Sequence, residues 1–562
     1  MELIKDRLAQ SLREAAEAAV KSGALPELGV LEIVIERPQN AGHGDFATNM
    51  AMRLARSARM APLEIAKRLV AHMPKSAAIE AASVALPGFI NITLSKPWLQ
   101  EQVNLINGLG ESFATVAKGN GERVQVEFVS ANPTGPVHVG HGRGAVLGDA
   151  LASVLQAAGY TVQREYYIND AGNQMQNFYK SLYARTAQAF GMDVKMPDDG
   201  YMGRYMVDLA EEIIAEAKDK KALEQQVREK PEEAQKELGA GGLKKMLAQI
   251  REDCEALGVR FDEWFSEASL FAKGQYAKVL DALRDSGYLA QREGATWFTS
   301  TSLGEDKDNV IIRSNGTPTY FATDIAYHYN KFAERGFDRV IDLWGADHQG
   351  HVPRMKAAVS ALGIDPARLS ILTSQLVTLK RGGEVVRISK RTGDIITLRE
   401  VVDEVGKDAV RFFLLSRSAD SQMDFDLEAA KTQSQENPVY YVQYAHARIA
   451  GILRLGAEKG IDYSKGDVAL LKDEAELALI RKMLELPELI EKMAALMEPH
   501  HLAHYAQDLA TAFHWFYKQC RVVSSEPGDE AITAARLKIV ASAKVALAAT
   551  LHLMGMTAPE KM

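Results

Sequence analysis

The sequence predicts an α/β body built on a nucleotide fold, preceded by a small α+β region and followed by an all-α bundle. Three observations lead there. Residues 123–160, RVQVEFVSANPTGPVHVGHGRGAVLGDALASVLQAAGY, read as an apolar strand, a Pro/Gly turn with two histidines and a long helix. Strand-like runs return in TWFTS, NVIIRS, TPTYFAT, RVIDLWGAD and ILTSQLV. Beyond about residue 400 the strands stop, and helical periodicity alone continues over 403–417, 427–456, 467–498, 500–523 and 530–554.

The elements follow in chain order. Leu3, Ile4, Leu8, Leu12, Ala15, Ala16 and Val20 recur at helical spacing, so residues 1 to about 20 form an amphipathic helix. LEIVIER and FINITL read as short strands around a helical stretch from Phe46 to Met73, with Asp45 placed to cap it. In the central body, Val124–Val129 favour a strand, and Asn132, Pro133, Gly135 and Pro136 end it. Val146, Leu147, Ala150, Leu151, Val154 and Leu155 then mark a helix that Gly159 stops. Residues 203–258, rich in Ala, Glu, Lys and Leu and broken at Lys230-Pro231 and Gly239–Gly242, read as helices inserted into the fold at about 175–265. The expected domains are 1–112, 120–400 and 401–562.

Composition narrows the function. Two cysteines among 562 residues, Cys254 and Cys520, support neither a disulfide framework nor a structural zinc site and point to a reducing compartment. No apolar run is long enough to cross a membrane and the start lacks a signal core, so a cytoplasmic protein is expected. The net charge of −8 gives no global argument for nucleic acid, although a local basic groove is compatible with it. No apolar interface stands out, and a monomer is expected.

Two His-x-Gly-His motifs occur, HVGH at 138–141 and HQGH at 348–351, where chance predicts about 0.02 in a chain of this composition. Each stands between a strand and a helix. Backbone N–H groups and the helix dipole attract phosphate at such a junction. The alternative is histidines making local turn bonds. RISKRTG, 387–393, gathers Arg387, Lys390 and Arg391 with Ser389, suiting a leaving pyrophosphate; the alternative is a basic surface loop. Glu127 and Asp324 stand among apolar residues, where an unpaired charge is costly, so each needs a cation from substrate or from the protein.

HVGH followed by a SKR-type loop resembles the HIGH and KMSKS motifs of class I aminoacyl-tRNA synthetases. VEFVSANPTGPVHVGHGRGAVLGDAL, YYINDAGNQM, YFATDIAYH, GADHQGH, KDAVRFFLLSR, ENPVYYVQYAHARI and the terminal APEKM resemble bacterial arginyl-tRNA synthetases along nearly the whole chain. Two positions depart from the general motifs: Val139 in HIGH, and RISKR in place of KMSKS, with arginines at 387 and 391.

The resemblance implies a Rossmann-type catalytic domain with a helical insertion, an N-terminal domain for the outer corner of tRNA and a C-terminal anticodon-binding bundle. It implies ATP with Mg²⁺, L-arginine and tRNA(Arg) as substrates, and activation of arginine only when tRNA is bound. His138, His141 and Lys390 are then catalytic. ATP is expected at Val139, Gly140, Gly142, Gly345, Asp347, His348, Ile388, Ser389 and Arg391. Arginine is expected at Glu127, Ser130, Asn132, His141, Tyr320, Asp324, His348 and Gln349. Tyr440, Tyr444, Arg448 and Trp515 are candidates for stacking on tRNA bases; aromatic residues at helical spacing are also ordinary core.

Overall fold

The computed structural model describes residues 3–29, 32–38, 40–386, 396–434 and 436–562. The basic loop Arg387–Arg391, with Ile388, Ser389 and Lys390, lies outside the described residues. No described helix is long and apolar enough to cross a membrane.

A five-stranded parallel sheet organises the central body. Its strands are β1 (Arg123–Glu127), β2 (Thr161–Ile168), β3 (Glu263–Ser266), β4 (Arg339–Gly345) and β5 (Leu369–Ser374). Their spatial order is β5-β4-β1-β2-β3, so the winding direction reverses between β1 and β4. Ligands of open α/β sheets bind beyond the carboxyl ends of the strands at such a reversal. Helix α1 (Val139–Ala157) follows β1. Helix α2 (Tyr320–Tyr329) precedes β4, and α3 (Val352–Ala361) follows it.

The inserted helices, Asn173–Ala189, Arg204–Glu216, Lys220–Glu229 and Pro231–Ala256, lie between β2 and β3. Pro231 starts the last of them, as expected, but Gly239–Gly242 does not interrupt it. Those glycines permit close packing instead: a Cβ at Gly239 would lie 2.3 Å from the Tyr179 ring, and one at Gly242 would lie 2.3 Å from Leu182. The opening helix, Ile4–Lys21, buries Ile4, Leu8, Leu12, Ala15 and Ala16, which matches the periodicity.

Other elements differ from the sequence reading. TPTYFAT is not a strand, because Tyr320 opens α2, which buries Phe321, Ala322, Ile325 and Ala326 at helical spacing. LEIVIER contributes only a bridge from Glu36 to Ala47 among its described residues. Phe46–Thr48 is a strand paired with Phe89–Leu94, and the helical region behind it splits into Met50–Ala58 and Pro62–Ala71. Left-handed Arg59 ends the first helix and Pro62 begins the second. Asp45 caps neither; it accepts from Leu94 N at 2.6 Å and pairs with Arg481. Strands also continue past 400: Met423–Asp426 runs parallel to Val377–Arg381.

Two fully buried arginines tie these parts to α1. Arg143 donates to the carbonyls of Gln375, Ser418 and Ser421 at 2.7–2.9 Å. Arg411 donates to Met554 O, Leu257 O and the Asp149 carboxylate. Thus α1 is held on one side to the strands flanking the basic loop and on the other to the terminal helices.

Candidate nucleotide and amino-acid site

The site grows from the end of β1. Val129 and Ser130 adopt φ of 68° and 38°, and a β-branched residue there is strained. Neighbouring bonds hold the turn. Ser130 Oγ donates to Glu127 Oε1 at 2.9 Å and accepts from Tyr167 N at 3.1 Å, while Tyr166 OH donates to Ala131 O at 2.7 Å. His138 is the N-cap of α1, its Nδ1 accepting from Gly140 N at 3.1 Å. The His141 ring stacks on His138 with centroids 3.8 Å apart. Both imidazoles therefore stand at the positive end of a 19-residue helix.

Glycines set this packing. A Cβ at Gly140 would lie 2.8 Å from the His138 ring, and one at Gly142 would lie 2.8 Å from Leu398. At Gly148 it would lie 2.2 Å from Phe128, so α1 approaches the strand more closely than any side chain allows. The chain leaving the basic loop returns to the same turn: Thr397 bridges to His138, and Leu398 N donates to Val137 O at 2.8 Å. One flank of RISKR is thus anchored beside HVGH.

Behind the turn lies a row of three acids. Register places Asp342 of β4, Glu127 of β1 and Glu165 of β2 side by side. Adjacent strands are only about 4.8 Å apart, so these like charges need cations. The π-helical turn Asn330–Glu334 after α2 supplies the first. Lys331 Nζ lies 2.6 Å from Glu127 and 2.7 Å from Asp342; Arg335, just beyond the turn, pairs with Glu165, which also accepts from Tyr327 OH. His328 faces Asp342 Oδ2 at 2.8 Å and the Asp324 carbonyl at 2.7 Å. Burial by itself would raise Asp342, but Lys331 and His328 bring it down to about 2. Burial leaves Glu127 above the usual carboxylate range in spite of Lys331. Glu127 therefore has its cation within the protein.

On the side of α2 a second acidic group has no such partner among the described residues. Asp324 is raised to about 7, chiefly by burial and also by Glu267 and Glu127, against the pull of His328 and Arg354. Glu267, 3% exposed, is raised by burial as well, against hydrogen bonds from Thr323 and Tyr167, and no cation among the described residues pairs with it. The Tyr167 ring packs on Tyr327 at 4.4 Å, between this pair and the Lys331 cluster. Two desolvated carboxylates beside a partly exposed Tyr320 concentrate acceptor oxygens of a kind that suits a planar, permanently charged cation.

The remaining expected residues are distributed as follows. Asn132 is exposed at the turn. Gly345, Asp347, His348 and Gln349 are exposed at the carboxyl end of β4, where Ala346–His351 forms a 3₁₀ turn into α3. HVGH and HQGH thus occupy the two sides of the sheet reversal. In the terminal bundle Tyr440 and Tyr444 stack at 5.9 Å, and Arg448 lies over Tyr444 at 4.7 Å and Tyr517 at 5.2 Å. Trp515 is 43% exposed, whereas Phe513 and Phe516 are core. The residues missed in the sequence are Glu267, His328, Lys331, Arg335 and Asp342. RVIDLWGAD did contain a hint, an acid inside an apolar strand, but its cation comes from another element.

Comparison with known proteins gives the family. Residues 105–450 match the family described as tRNA synthetases class I (R), catalytic domain; residues 2–94 match the arginyl tRNA synthetase N terminal domain, and 442–562 the DALR anticodon binding domain. An arginine--tRNA ligase of Dehalococcoides mccartyi is 57% identical, covering 100% of this chain and 99% of the relative. One from Heliobacterium modesticaldum is 49% identical over 100% of both chains. Among solved structures, Thermus thermophilus arginyl-tRNA synthetase superposes with a TM-score of 0.76 over 100% of both chains at 23% identity, a likeness of fold. The chain belongs to the class I arginyl-tRNA synthetases.

Proposed function

We propose that the HVGH turn and the acidic pocket beside it carry the first half of arginine--tRNA ligation, the ATP-dependent formation of arginyl-adenylate. The acyl group then passes to the 3′ end of tRNA(Arg), releasing AMP. The observation that carries this reading is a capped helix N-terminus and two acids, Asp324 and Glu267, that have no ion-pair cation among the described residues, in the same sheet domain.

The substrate carboxylate attacks the α-phosphorus in line, forming the acyl–phosphate bond as the bond to pyrophosphate breaks. Such a step depends mainly on positioning and charge neutralisation. His138 and His141, with Val139, Gly140 and Gly142, meet the phosphates as charge builds; Lys390, Ser389, Ile388 and Arg391 meet the leaving pyrophosphate. Gly345, Asp347 and His348 lie toward the nucleoside, and Mg²⁺ arrives as part of the ATP substrate. Glu127, Ser130 and Asn132 hold the α-amino and carboxylate end of arginine, and Tyr320, Asp324 and Glu267 hold the guanidinium. Gln349 closes the far wall. Residues 1–112 meet the outer corner of tRNA, and 401–562, through Tyr440, Tyr444, Arg448 and Trp515, meet the anticodon loop. The enzyme works as a cytoplasmic monomer.

Pyrophosphate exchange with each amino acid in turn, with and without total tRNA, tests the reading. An arginine-specific signal in the presence of tRNA is expected; exchange with another amino acid and not with arginine overturns it.

A further inference from the structure

The segment EPHHLAHY, Glu498–Tyr505, forms the corner between helices Glu474–Leu496 and His501–Gln519. Left-handed Met497 ends the first helix. At the corner, His501 Nε2 lies 3.0 Å from Glu498 Oε2, and the His500 and His501 ring centroids are 4.2 Å apart. One turn on, the His504 ring stands edge-on to His500 at 6.2 Å. Glu498, His500 and His501 each offer a ligand atom, and these three atoms lie within 4.8 Å of one another. Among the described residues this is the one such group of three or more His, Cys, Asp or Glu side chains.

The donor set selects the ion. Two imidazole nitrogens and one carboxylate oxygen suit zinc-type transition ions, whereas Mg²⁺ and Ca²⁺ take oxygen shells. Ligands about 2.0–2.1 Å from a tetrahedral metal stand roughly 3.3 Å apart, close to the Glu498–His501 separation. The N-terminus of His501–Gln519 opposes a cation, and the Glu498 carboxylate offsets that field.

We propose that Glu498, His500 and His501 bind one divalent zinc-type ion, with His504 or water completing the tetrahedron. The ion cross-links the end of a 23-residue bundle helix to the start of a 19-residue one. The cysteine count, which argues against a Cys-type zinc site, says nothing about a site built from imidazoles.

The test uses the tag-free full chain, stripped with EDTA and titrated with ZnCl₂ against a chromophoric chelator. One equivalent is expected to bind, and the melting temperature is expected to rise with zinc. His501→Ala and Glu498→Gln, both at partly exposed positions, should weaken binding by about tenfold or more and abolish the shift while keeping the parent's far-UV spectrum and arginylation rate. No binding by the parent chain, or the same affinity in both variants, overturns the site.

Discussion

The Lys331 ammonium lies 2.6 Å from the Glu127 carboxylate, although 204 positions separate the two in sequence. The same nitrogen lies 2.7 Å from Asp342, so one buried cation holds adjacent strands at the sheet reversal. Lys331 is fully buried and its Nζ also lies 4.1 Å from the centre of the Tyr327 ring. Removing it leaves two carboxylates on adjacent strands without the cation between them.

Lys331→Met is therefore expected to cost about 3–5 kcal/mol of folding stability at neutral pH, measured by denaturant titration. The deficit should shrink as the pH falls, because protonation of either acid relieves the repulsion. A deficit that does not change with pH would mean that lost packing, rather than lost charge, governs the effect.

Arginine binding should depend on pH through Asp324. Its carboxyl titrates at about 7 in the substrate-free site, and a bound guanidinium favours the ionised form. Binding strength is thus fully present above pH 7 and falls as the pH drops through it, by up to about tenfold per unit. Arginine KM measured from pH 6 to 8.5 should show this rise on the acid side, and Asp324→Asn should flatten it.

Glu267→Gln keeps the shape of the side chain and removes its charge. The pocket then loses one of its two carboxylates, so KM for arginine should rise by roughly 1.5–3 kcal/mol equivalent, about 10- to 150-fold. KM for ATP should change little, since Glu267 faces Thr323 and Asp324 on the α2 side of the pocket.

At the turn, His141→Ala should lower arginylation by about 10²–10³-fold with little change in arginine affinity, as expected where a contact strengthens only in the transition state. Single-turnover adenylate formation beside equilibrium arginine binding separates the two quantities. Equal losses in both would assign His141 to ground-state binding.

Arg448→Ala should act on the other substrate. Its guanidinium sits between Tyr444 and Tyr517 and donates to Tyr444 OH at 2.8 Å. Loss of this stacked platform is expected to weaken tRNA by about 1–3 kcal/mol while leaving kcat at saturating tRNA near the parent value. Filter binding and tRNA-dependent kinetics measure both.

Local pattern made much of the molecule legible. The strand from Val124, the turn at Asn132–Pro136 and the helix ending before Gly159 could be read because each rests on propensities within a few residues. The same local logic misread TPTYFAT, where β-favouring Thr, Tyr and Phe are overridden by burial of Phe321, Ala322, Ile325 and Ala326 on a helix. It also read Gly239–Gly242 as a break, because the ring and methyl groups that require those glycines belong to Tyr179 and Leu182 on another helix.

By itself the sequence determined the family and the α/β class, and it singled out the HVGH turn at a strand–helix junction and the acids Glu127 and Asp324 among apolar residues. It could do so because those features lie in contiguous motifs whose chemistry survives any packing. Only the tertiary structure decided how the acids divide their work. Strand register sets Asp342, Glu127 and Glu165 in one row, and the turn after α2 delivers Lys331 and Arg335 to them. Among the described residues Asp324 and Glu267 are left without a paired cation. Whether a buried carboxylate is satisfied depends on a partner brought by folding from far along the chain, and no local spacing contains that information.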